Sequence, residues 1–236
     1  MHVMDVRVGE TQTGDGPASD FVVGVIGGTG PLGRGLAGRI AAAGHLVRLG
    51  SRDVVRAESC AATIGSGVVG VANAAACDAD LCVIAVPWSA HDGMLTSLAP
   101  LLQGRVVIDC VNPLGFDERG PFALSVEAGS AAERAQELLP DSTVVGAFHH
   151  VSAQWLLAGS ALDGDVLVVG DDREAVGLVT ALIDSIAGLR GVVAGRLRNA
   201  GQVEALTANL IAINQHYRVQ SGIQVAGLPR GDARDH

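Results

Sequence analysis

Three glycines near the start of the chain follow a short apolar run with the spacing Gly-x-Gly-x-x-Gly. They are Gly28, Gly30 and Gly33, and the apolar run occupies residues 21–26. In a strand–turn–helix unit this spacing permits a tight turn at the first glycine, lets the backbone approach a pyrophosphate at the second, and lets the helix pack on the strand at the third. The alternative is a tight turn that serves no ligand. We expect a dinucleotide site, and its predicted contacts in this loop are Gly28, Thr29, Gly30, Pro31, Leu32 and Gly33.

The residues that follow the second predicted strand indicate which dinucleotide is bound. Ser51 and Arg52 stand where an enzyme that uses NAD normally has an acidic residue, and Arg56 follows one helical turn later. A carboxylate would repel the additional 2′-phosphate of NADP, whereas a guanidinium group binds a phosphate with two hydrogen bonds. The pattern favours NADP over NAD, with a solvated surface charge as the alternative for Arg52.

Further candidates follow the carboxyl ends of other predicted strands, where ligands bind to a sheet of this kind. His149, beside His150, is predicted to position the reacting rings, and an ordinary loop histidine is the alternative. Trp88 either shields the cofactor or fills a packing gap. Asn112 either directs its amide at the nicotinamide carboxamide or forms a simple turn with Pro113. The other predicted cofactor contacts at these strand ends are Val86, Pro87 and Leu114.

The composition excludes several catalytic mechanisms. The chain contains no lysine, so all 16 basic residues are arginine, and Tyr217 is the only tyrosine. Dehydrogenases that use a lysine as general acid are therefore excluded, and so are reductases with a Tyr-x-x-x-Lys pair. The four cysteines include no Cys-x-x-Cys pair and the histidines show no ligand spacing, which predicts reduced thiols and no metal site.

Strands and helices alternate along the chain, which predicts an α/β fold with a doubly wound parallel Rossmann sheet. We expect a disordered leader at 1–20, an NADP-binding domain at 21–147, a small C-terminal α/β cap at 148–228 that packs on the sheet and covers the cleft, and a tail at 229–236. The predicted strands are 21–26, 45–49, 68–71, 81–85, 106–109, 143–147, 165–169 and 192–193, and the predicted helices are 32–43, 53–64, 90–102, 129–139, 173–187 and 199–220.

Charge and hydropathy limit the partners. The formal net charge of −9 argues against binding to nucleic acid or to an anionic membrane surface. No apolar run approaches the roughly 20 residues of a membrane span, and the first residues do not have the pattern of a signal peptide. We therefore expect a cytoplasmic protein that acts on small molecules.

Several segments together resemble the NADP-dependent oxidoreductases of the deazaflavin coenzyme F420. The resemblance runs from residue 22 to residue 229 and implies that a hydride passes between the nicotinamide ring of NADPH and the 5-position of the deazaflavin, which is the co-substrate. It also favours a homodimer, as does the apolar last helix. The matching segments are Gly-Gly-Thr-Gly at 27–30, Gly-Ser-Arg at 50–52, Val-Pro-Trp at 86–88, Val-Asn-Pro-Leu-Gly-Phe-Asp at 111–117, Ala-Phe-His at 147–149, Val-Ser-Ala at 151–153, Gly-Asp-Asp at 170–172, Glu-x-Leu-Thr at 204–207 and Gly-Leu-Pro at 227–229.

The resemblance also implies roles for individual residues. Thr29, Ser51, Arg52 and Arg56 match positions that hold the adenosine phosphates. His149, Val151 and Thr207 match positions that line the pocket in which the two rings stack. Ala153 lies in the matching segment 151–153 and is predicted to contact the cofactor there as well. A threonine with its hydroxyl satisfied inside the protein is the alternative for Thr207.

Two positions of the last predicted helix depart from the family pattern. Gly201 stands where the family usually has an arginine, and Ala205 stands where some members have a serine. We hypothesise that Arg198, with Arg196, replaces the lost contact to the acidic tail of the deazaflavin. Two other functions are open at this stage: an NADP-dependent reductase of another small carbonyl, imine or flavin-like acceptor, and an NADP(H)-binding protein without catalytic activity.

Overall fold

The computed structural model describes residues 21–228, so the predicted leader at 1–20 and the predicted tail at 229–236 lie outside the described residues. Within this range the strands are β1 (Val22–Ile26), β2 (Leu46–Ser51), β3 (Val68–Ala72), β4 (Leu81–Ile84), β5 (Val106–Asp109), β6 (Leu114–Asp117), β7 (Gly120–Ala123), β8 (Thr143–Gly146), β9 (Gly164–Gly170) and β10 (Leu189–Val193). The helices are α1 (Pro31–Ala42), α2 (Val54–Ile64), α3 (Asn73–Ala76), α4 (His91–Leu102), α5 (Ala131–Leu138), α6 (Ala153–Leu157), α7 (Arg173–Ser185) and α8 (Ala200–Tyr217). Short 3-10 turns precede α4 at Trp88–Ala90 and α8 at Leu197–Asn199.

Eight of the described strands form one sheet in the order β10-β9-β8-β5-β4-β1-β2-β3. Every neighbouring pair in it is parallel except β8 and β9. The central strand β1 pairs with β2 on one side and with β4 on the other, so the order reverses beside β1. A crevice opens at such a reversal, next to the carboxyl ends of the strands. The predicted Rossmann-type α/β sheet is confirmed.

The strands after residue 150 are placed differently from the prediction. β9 and β10 extend the Rossmann sheet at one edge instead of forming a cap that packs on it, and β9 runs antiparallel to β8. The apolar sequence of β9 is buried at nearly every position. A strand of this kind is stable inside a sheet that is covered on both faces, which explains why it joins the larger sheet. The boundary between residues 147 and 148 remains a prediction.

A hairpin of β6 and β7 was not predicted. The two strands pair in antiparallel register, with Asp117 opposite Gly120. Gly120 has a φ of 111°, a left-handed conformation that glycine adopts without strain and that lets the chain turn tightly. The sequence predicts that Leu114 follows the carboxyl end of β5 and contacts the cofactor there. In the structure Leu114 is the first residue of this hairpin.

The core is aliphatic and lies on both faces of the sheet. On one face Leu36 and Ile40 of α1 belong to the cluster that packs on β1, and on the other face Leu95 and Leu98 of α4 pack near Ile84. Since both faces are covered by helices, a ligand reaches the sheet only at the ends of its strands. Among residues 21–228, no helix combines the length and the hydropathy that a membrane span requires.

Candidate functional site

The glycine-rich turn joins β1 to α1. The left-handed residue of this turn is Gly27, with a φ of 73°, so the tight turn lies one residue before the position that the motif predicted. Gly33 serves close packing, because a Cβ atom there would lie 2.5 Å from the Cα of Gly28. A Cβ atom on Gly30 would meet only the carbonyl oxygen of Gly27, at 3.6 Å. The space beside Gly30 is therefore open, on the side where the motif predicts the pyrophosphate.

The first turn of α1 faces this open space. Pro31 is the first residue of the helix, and Gly30 is its N-cap without a side-chain hydrogen bond. The backbone N–H groups at a helix start have no partner within the helix, and the helix dipole is positive at that end. The start of α1 is therefore suited to bind an anion.

A first cleft of about 330 Å³ lies between the glycine turn and the carboxyl ends of β2 and β4. Seven of the predicted cofactor contacts line it, and they come from three separate segments of the chain. The predicted residues in this first cleft are Thr29, Gly30, Ser51, Arg52, Arg56, Val86 and Pro87. Gly27, Asp53, Asn73, Ala85, Ala90 and Met94 complete its lining.

The start of α2 brings charge to the first cleft. Arg52 and Arg56 are exposed at its edge, whereas Ser51 is buried. The Ser51 hydroxyl accepts a hydrogen bond from the backbone N–H of Asp53 at 3.1 Å. The Asp53 carboxylate accepts one from the Arg56 N–H at 3.1 Å and so caps α2. Two guanidinium groups thus outnumber one carboxylate that is engaged in capping, and this arrangement fits a phosphate group.

Asn73 is a residue of the first cleft that the sequence analysis missed. Its Oδ1 atom accepts a hydrogen bond from the backbone N–H of Gly27 at 3.1 Å, and so it fixes the tight turn. The two residues are 46 positions apart, and no local pattern around Asn73 signals the contact. The side chain belongs to the start of α3, directly after β3.

A second cleft of about 480 Å³ lies between α1, α6 and α8. Six predicted residues line it: Leu32, Asn112, His149, Val151, Ala153 and Thr207. The other lining residues are His150, Ser152, Gln154, Leu210, Ile211, Asn214, Gln215 and Gln220. Asp, Glu and Arg side chains do not occur in this lining, so its walls are apolar and its polar groups are amides, hydroxyls and imidazoles.

The backbone carbonyl oxygen of His149 joins three segments at the wall of the second cleft. It accepts a hydrogen bond from the Asn112 side-chain amide at 2.7 Å and another from the Thr207 hydroxyl at 3.0 Å. The Asn112 amide nitrogen therefore makes one hydrogen bond within the protein, and its predicted contact with the nicotinamide carboxamide stays a prediction. Its Oδ1 atom is buried without a partner, so an acceptor remains beside the cleft.

The His149 ring is buried against β8. Neither ring nitrogen has a hydrogen-bond partner, and a Cβ atom on Gly146 would lie 2.9 Å from Nε2. Burial lowers the pKa of His149, and the negative charge of Asp109 opposes this shift only in part. The imidazole is therefore neutral at pH 7 and is not a source of protons there.

Phe148 and His150 lie on either side of His149, in the turn that follows β8. The His150 Nε2 atom accepts a hydrogen bond from the Leu167 N–H at 3.1 Å, which places the proton of the neutral ring on Nδ1. Burial lowers the pKa of His150 to about 4, so the ring is neutral at pH 7. Phe148 is buried with a φ of 61°, which is uncommon for a residue with a side chain. Such strain occurs where the surrounding structure fixes a functional turn.

Eight predicted site residues lie outside the lining of both clefts: Gly28, Pro31 and Gly33 of the glycine-rich turn, and Trp88, Pro113, Leu114, Arg196 and Arg198. Trp88 packs its ring against His91, with 5.3 Å between ring centroids. Pro113 and Leu114 belong to the start of the β6–β7 hairpin, and the Pro113 carbonyl accepts a hydrogen bond from the N–H of Leu124. Trp88 and Pro113 thus have a packing contact and a turn contact within the protein, and their predicted contacts with the cofactor stay predictions.

Arg196 and Arg198 are the last two predicted site residues that lie outside both clefts. The Arg196 guanidinium donates to the carbonyl oxygen of Asp171 at 2.8 Å, and Arg198 is exposed in the turn before α8. The lining of the second cleft begins on α8 at Thr207, nine residues after Arg198 and roughly 13 Å along a helix axis. The two arginines therefore precede α8, whereas the middle and the C-terminal half of this helix line the cleft that they were expected to serve.

Packing explains the glycine at position 201. A Cβ atom on Gly201 would lie 2.8 Å from the carbonyl oxygen of Gly129, so α8 approaches the loop before α5 closely at this point. A longer side chain here would force the two segments apart. The departure from the family pattern is thus a consequence of how α8 sits against α5.

Comparison with known proteins gives one consistent result. Residues 22–113 match the family described as NADP oxidoreductase, coenzyme F420-dependent. A relative from Methanothermobacter marburgensis named F420-dependent NADP reductase is 36% identical over 221 residues, which covers 88% of this chain and 99% of the relative. A solved structure from Arthrobacter sp. FB24, provisionally described as an F420-dependent NADP-reductase, has a TM-score of 0.75 and 26% identity, and the match covers 87% of this chain and 98% of that chain. An imine reductase from Streptomyces aurantiacus shares the fold at 22% identity and a TM-score of 0.53, over 83% of this chain and 62% of that chain.

Proposed function

Since this chain belongs to the family of coenzyme F420-dependent NADP oxidoreductases, we propose that its two clefts hold NADPH and the deazaflavin while a hydride passes between them. The observation that carries the proposal is the position of α1 between the clefts. Gly30 lines the first cleft and Leu32, two residues later, lines the second. A dinucleotide whose pyrophosphate lies at the start of α1 would therefore extend from one cleft into the other.

In this proposal the first cleft holds the adenosine half of NADP. Arg52 and Arg56 bind the 2′-phosphate, and the Ser51 hydroxyl completes its hydrogen bonding. The open space at Gly30 and the free N–H groups of α1 receive the pyrophosphate. An NAD molecule lacks the phosphate that these cations bind, so the site discriminates between the two cofactors.

The second cleft holds the two rings. NADPH supplies the hydride, and the deazaflavin accepts it at its 5-position together with one proton from water. The protein contributes alignment, because Leu32, Val151 and Leu210 form apolar walls. His149 and His150 are neutral at pH 7, so they serve as wall and turn and not as proton donors.

The mouth of the second cleft offers a different contact for the deazaflavin tail from the one predicted. Gln154, Asn214, Gln215 and Gln220 line it, and Gln220 bonds both to Gln154 at 3.0 Å and to the hydroxyl of Ser152. Amide N–H groups donate to carboxylate and phosphate oxygens. These side chains therefore replace Arg196 and Arg198 in our proposal for the tail.

We further propose that the protein is a cytoplasmic homodimer. The hairpin exposes Phe116 and Phe122, and α8, against which β7 packs, exposes Ile213 and Tyr217. Apolar side chains grouped on one surface are typical of an interface between subunits. The free cysteines Cys60, Cys77, Cys82 and Cys110 suit a reducing compartment. Light scattering of the purified protein gives its subunit number directly.

Anaerobic oxidation of NADPH, followed by absorbance at 340 nm, tests the proposed function. We expect turnover with the deazaflavin and none with imine or carbonyl acceptors. Turnover only with another acceptor would establish the second function, and tight NADPH binding without turnover would establish a binding protein. Arg52→Ala should weaken NADPH binding tenfold or more without affecting NADH, on the scale of a charge-assisted bond. Arg48→Ala, which removes an exposed arginine that pairs with Asp78, is the matched control.

A further inference from the structure

We propose that His91 and Asp109 form a positioning pair that aligns the first cleft with the second. Both side chains are fully buried, and the His91 Nε2 atom lies 2.7 Å from the Asp109 Oδ2 atom. Neither residue lines either cleft, and neither was a predicted site residue. The inference rests on the proposed hydride transfer, because it concerns how the two reacting rings are held in register.

Asp109 controls the turn that reaches the second cleft. It is the last residue of β5, and its Oδ1 atom accepts a hydrogen bond from the backbone N–H of Val111 at 2.9 Å. Asn112 follows immediately and donates its side-chain N–H to the His149 carbonyl oxygen at 2.7 Å. The carboxylate thus fixes the direction in which Asn112 leaves the sheet, and with it the wall formed by His149.

His91 controls the edge of the first cleft. It is the first residue of α4 and directly follows Ala90, which lines the first cleft together with Val86 and Pro87. A hydrogen bond from this imidazole to Asp109 therefore ties the edge of one cleft to the turn of the other. A shift of α4 relative to β5 would move the adenosine half of the dinucleotide away from the ring-stacking wall.

A second carboxylate holds the His91 ring from its other side. The His91 Nδ1 atom lies 3.3 Å from Asp92 Oδ1, and Arg134 binds the other Asp92 oxygen at 2.9 and 3.0 Å. Burial alone would lower the pKa of His91, but the hydrogen bonds to Asp109 and Asp92 outweigh it and raise the pKa. Both ring nitrogens therefore face a carboxylate oxygen, and the orientation of the ring is fixed from both sides.

This arrangement predicts an effect on the rate of transfer that is separate from binding. The groups that hold the 2′-phosphate, Ser51, Arg52 and Arg56, make no contact with the pair, so NADPH should bind normally when the pair is broken. The two rings should be less well aligned, and a misplacement of the reacting atoms by about 1 Å lowers the rate by up to about 100-fold. Replacing a residue that only supports the fold would not lower the transfer rate while leaving the binding of NADPH unchanged.

Single-turnover hydride transfer and NADPH titration, measured in the same buffer on His91→Leu and Asp109→Asn, test the inference. We expect transfer to slow by about 10- to 100-fold while the Kd for NADPH changes less than about twofold. His91→Gln keeps an N–H donor toward Asp109 and should recover most of the lost rate. Asp78→Asn is the matched control, since it breaks the exposed ion pair with Arg48 by the same chemical change and should transfer at the wild-type rate.

All variants are compared at a temperature at which circular dichroism shows each of them folded, and the near-isosteric Asp109→Asn serves alone if His91→Leu does not fold. A wild-type transfer rate in folded Asp109→Asn would overturn the positioning role. So would a rate loss matched by an equal loss of NADPH affinity, because the pair would then only support the fold. Absence of transfer in the wild-type protein would instead overturn the proposed function.

Discussion

Glu204 on α8 accepts a hydrogen bond from the backbone N–H of Ala131, the first residue of α5, at 2.9 Å. Its second oxygen accepts from the N–H of Ala132 at 3.1 Å, so one buried carboxylate caps a helix 73 residues away in the chain. Burial raises the pKa of Glu204 to about 7, although the two N–H groups and His91 act in the opposite direction. The contact between α8 and α5 thus includes a group that titrates near neutral pH.

The stability of the protein should depend on the charge of Glu204. Because the folded pKa of about 7 lies above the ordinary value of 4.5, the folded protein binds this proton more tightly than the unfolded chain does. The stabilising contribution is complete below pH 4.5 and is lost as the pH rises toward 7. We expect the difference in free energy of unfolding between wild type and Glu204→Gln to fall by up to about 3 kcal/mol over this interval. Urea titrations at pH 4.5, 6 and 8 measure it, and an equal difference at all three would contradict the shift.

His150 should give the opposite dependence on pH. Its folded pKa of about 4 lies below the ordinary value of 6.5, so the unfolded chain binds the proton more tightly between these values. Its contribution is complete above pH 6.5 and is lost as the pH falls toward 4, by up to about 3 kcal/mol. His150→Gln keeps an acceptor for the Leu167 N–H and should make the acid side of the stability profile flatter. His216→Gln, which removes an exposed histidine, should leave that profile as steep as in wild type.

The parts of the site that local sequence determines are the parts that could be predicted. Gly30 and Arg52 lie within short motifs whose backbone roles depend only on neighbours, and both line the first cleft. Asn73 and Glu204 act across 46 and 73 positions, and a single sequence carries no signal for such pairs. Proximity of Arg198 to α8 in sequence says little about its distance from a cleft whose lining begins at Thr207, roughly 13 Å along the helix axis, so its contact with the deazaflavin tail stays a prediction.

In the fold, too, the elements that local sequence determines could be predicted, whereas the pairing between distant strands could not. The apolar pattern of 165–169 predicts a strand correctly, but it does not say which strand will pair with it. β9 pairs with β8 in antiparallel register and β10 pairs with β9, so the sheet grows where a separate cap was expected. Pairing depends on how the loops between the strands close, and those loops have no periodic pattern from which pairing could be read.

Two glycine substitutions should have opposite effects on stability. In Gly201→Ala the new Cβ atom would lie 2.8 Å from the carbonyl oxygen of Gly129, and crowding of this kind costs about 1–3 kcal/mol, more than the gain in helix propensity. In Gly177→Ala, on α7, the new atom meets nothing within 4 Å, so the helix should gain about 0.5–1 kcal/mol. Chemical denaturation measures both, and a stabilised Gly201→Ala would mean that α8 and the Gly129 loop can move apart at no cost.

Thr207 should influence the deazaflavin more than NADPH, because its hydroxyl supports the wall of the second cleft, whereas NADPH is also held in the first cleft by Arg52 and Arg56. Thr207→Val preserves the shape of the side chain and removes the hydrogen bond to the His149 carbonyl, which then depends on Asn112 alone. A hydrogen bond of this type contributes about 1 kcal/mol, which corresponds to a roughly fivefold rise in KM for the deazaflavin. Steady-state kinetics with each substrate varied in turn should show that rise, with KM for NADPH within about twofold of wild type. Thr180→Val removes the same kind of bond, from a hydroxyl to the Val176 carbonyl on α7, and should change neither constant. An unchanged KM for the deazaflavin in Thr207→Val would mean that Asn112 alone holds the wall in place.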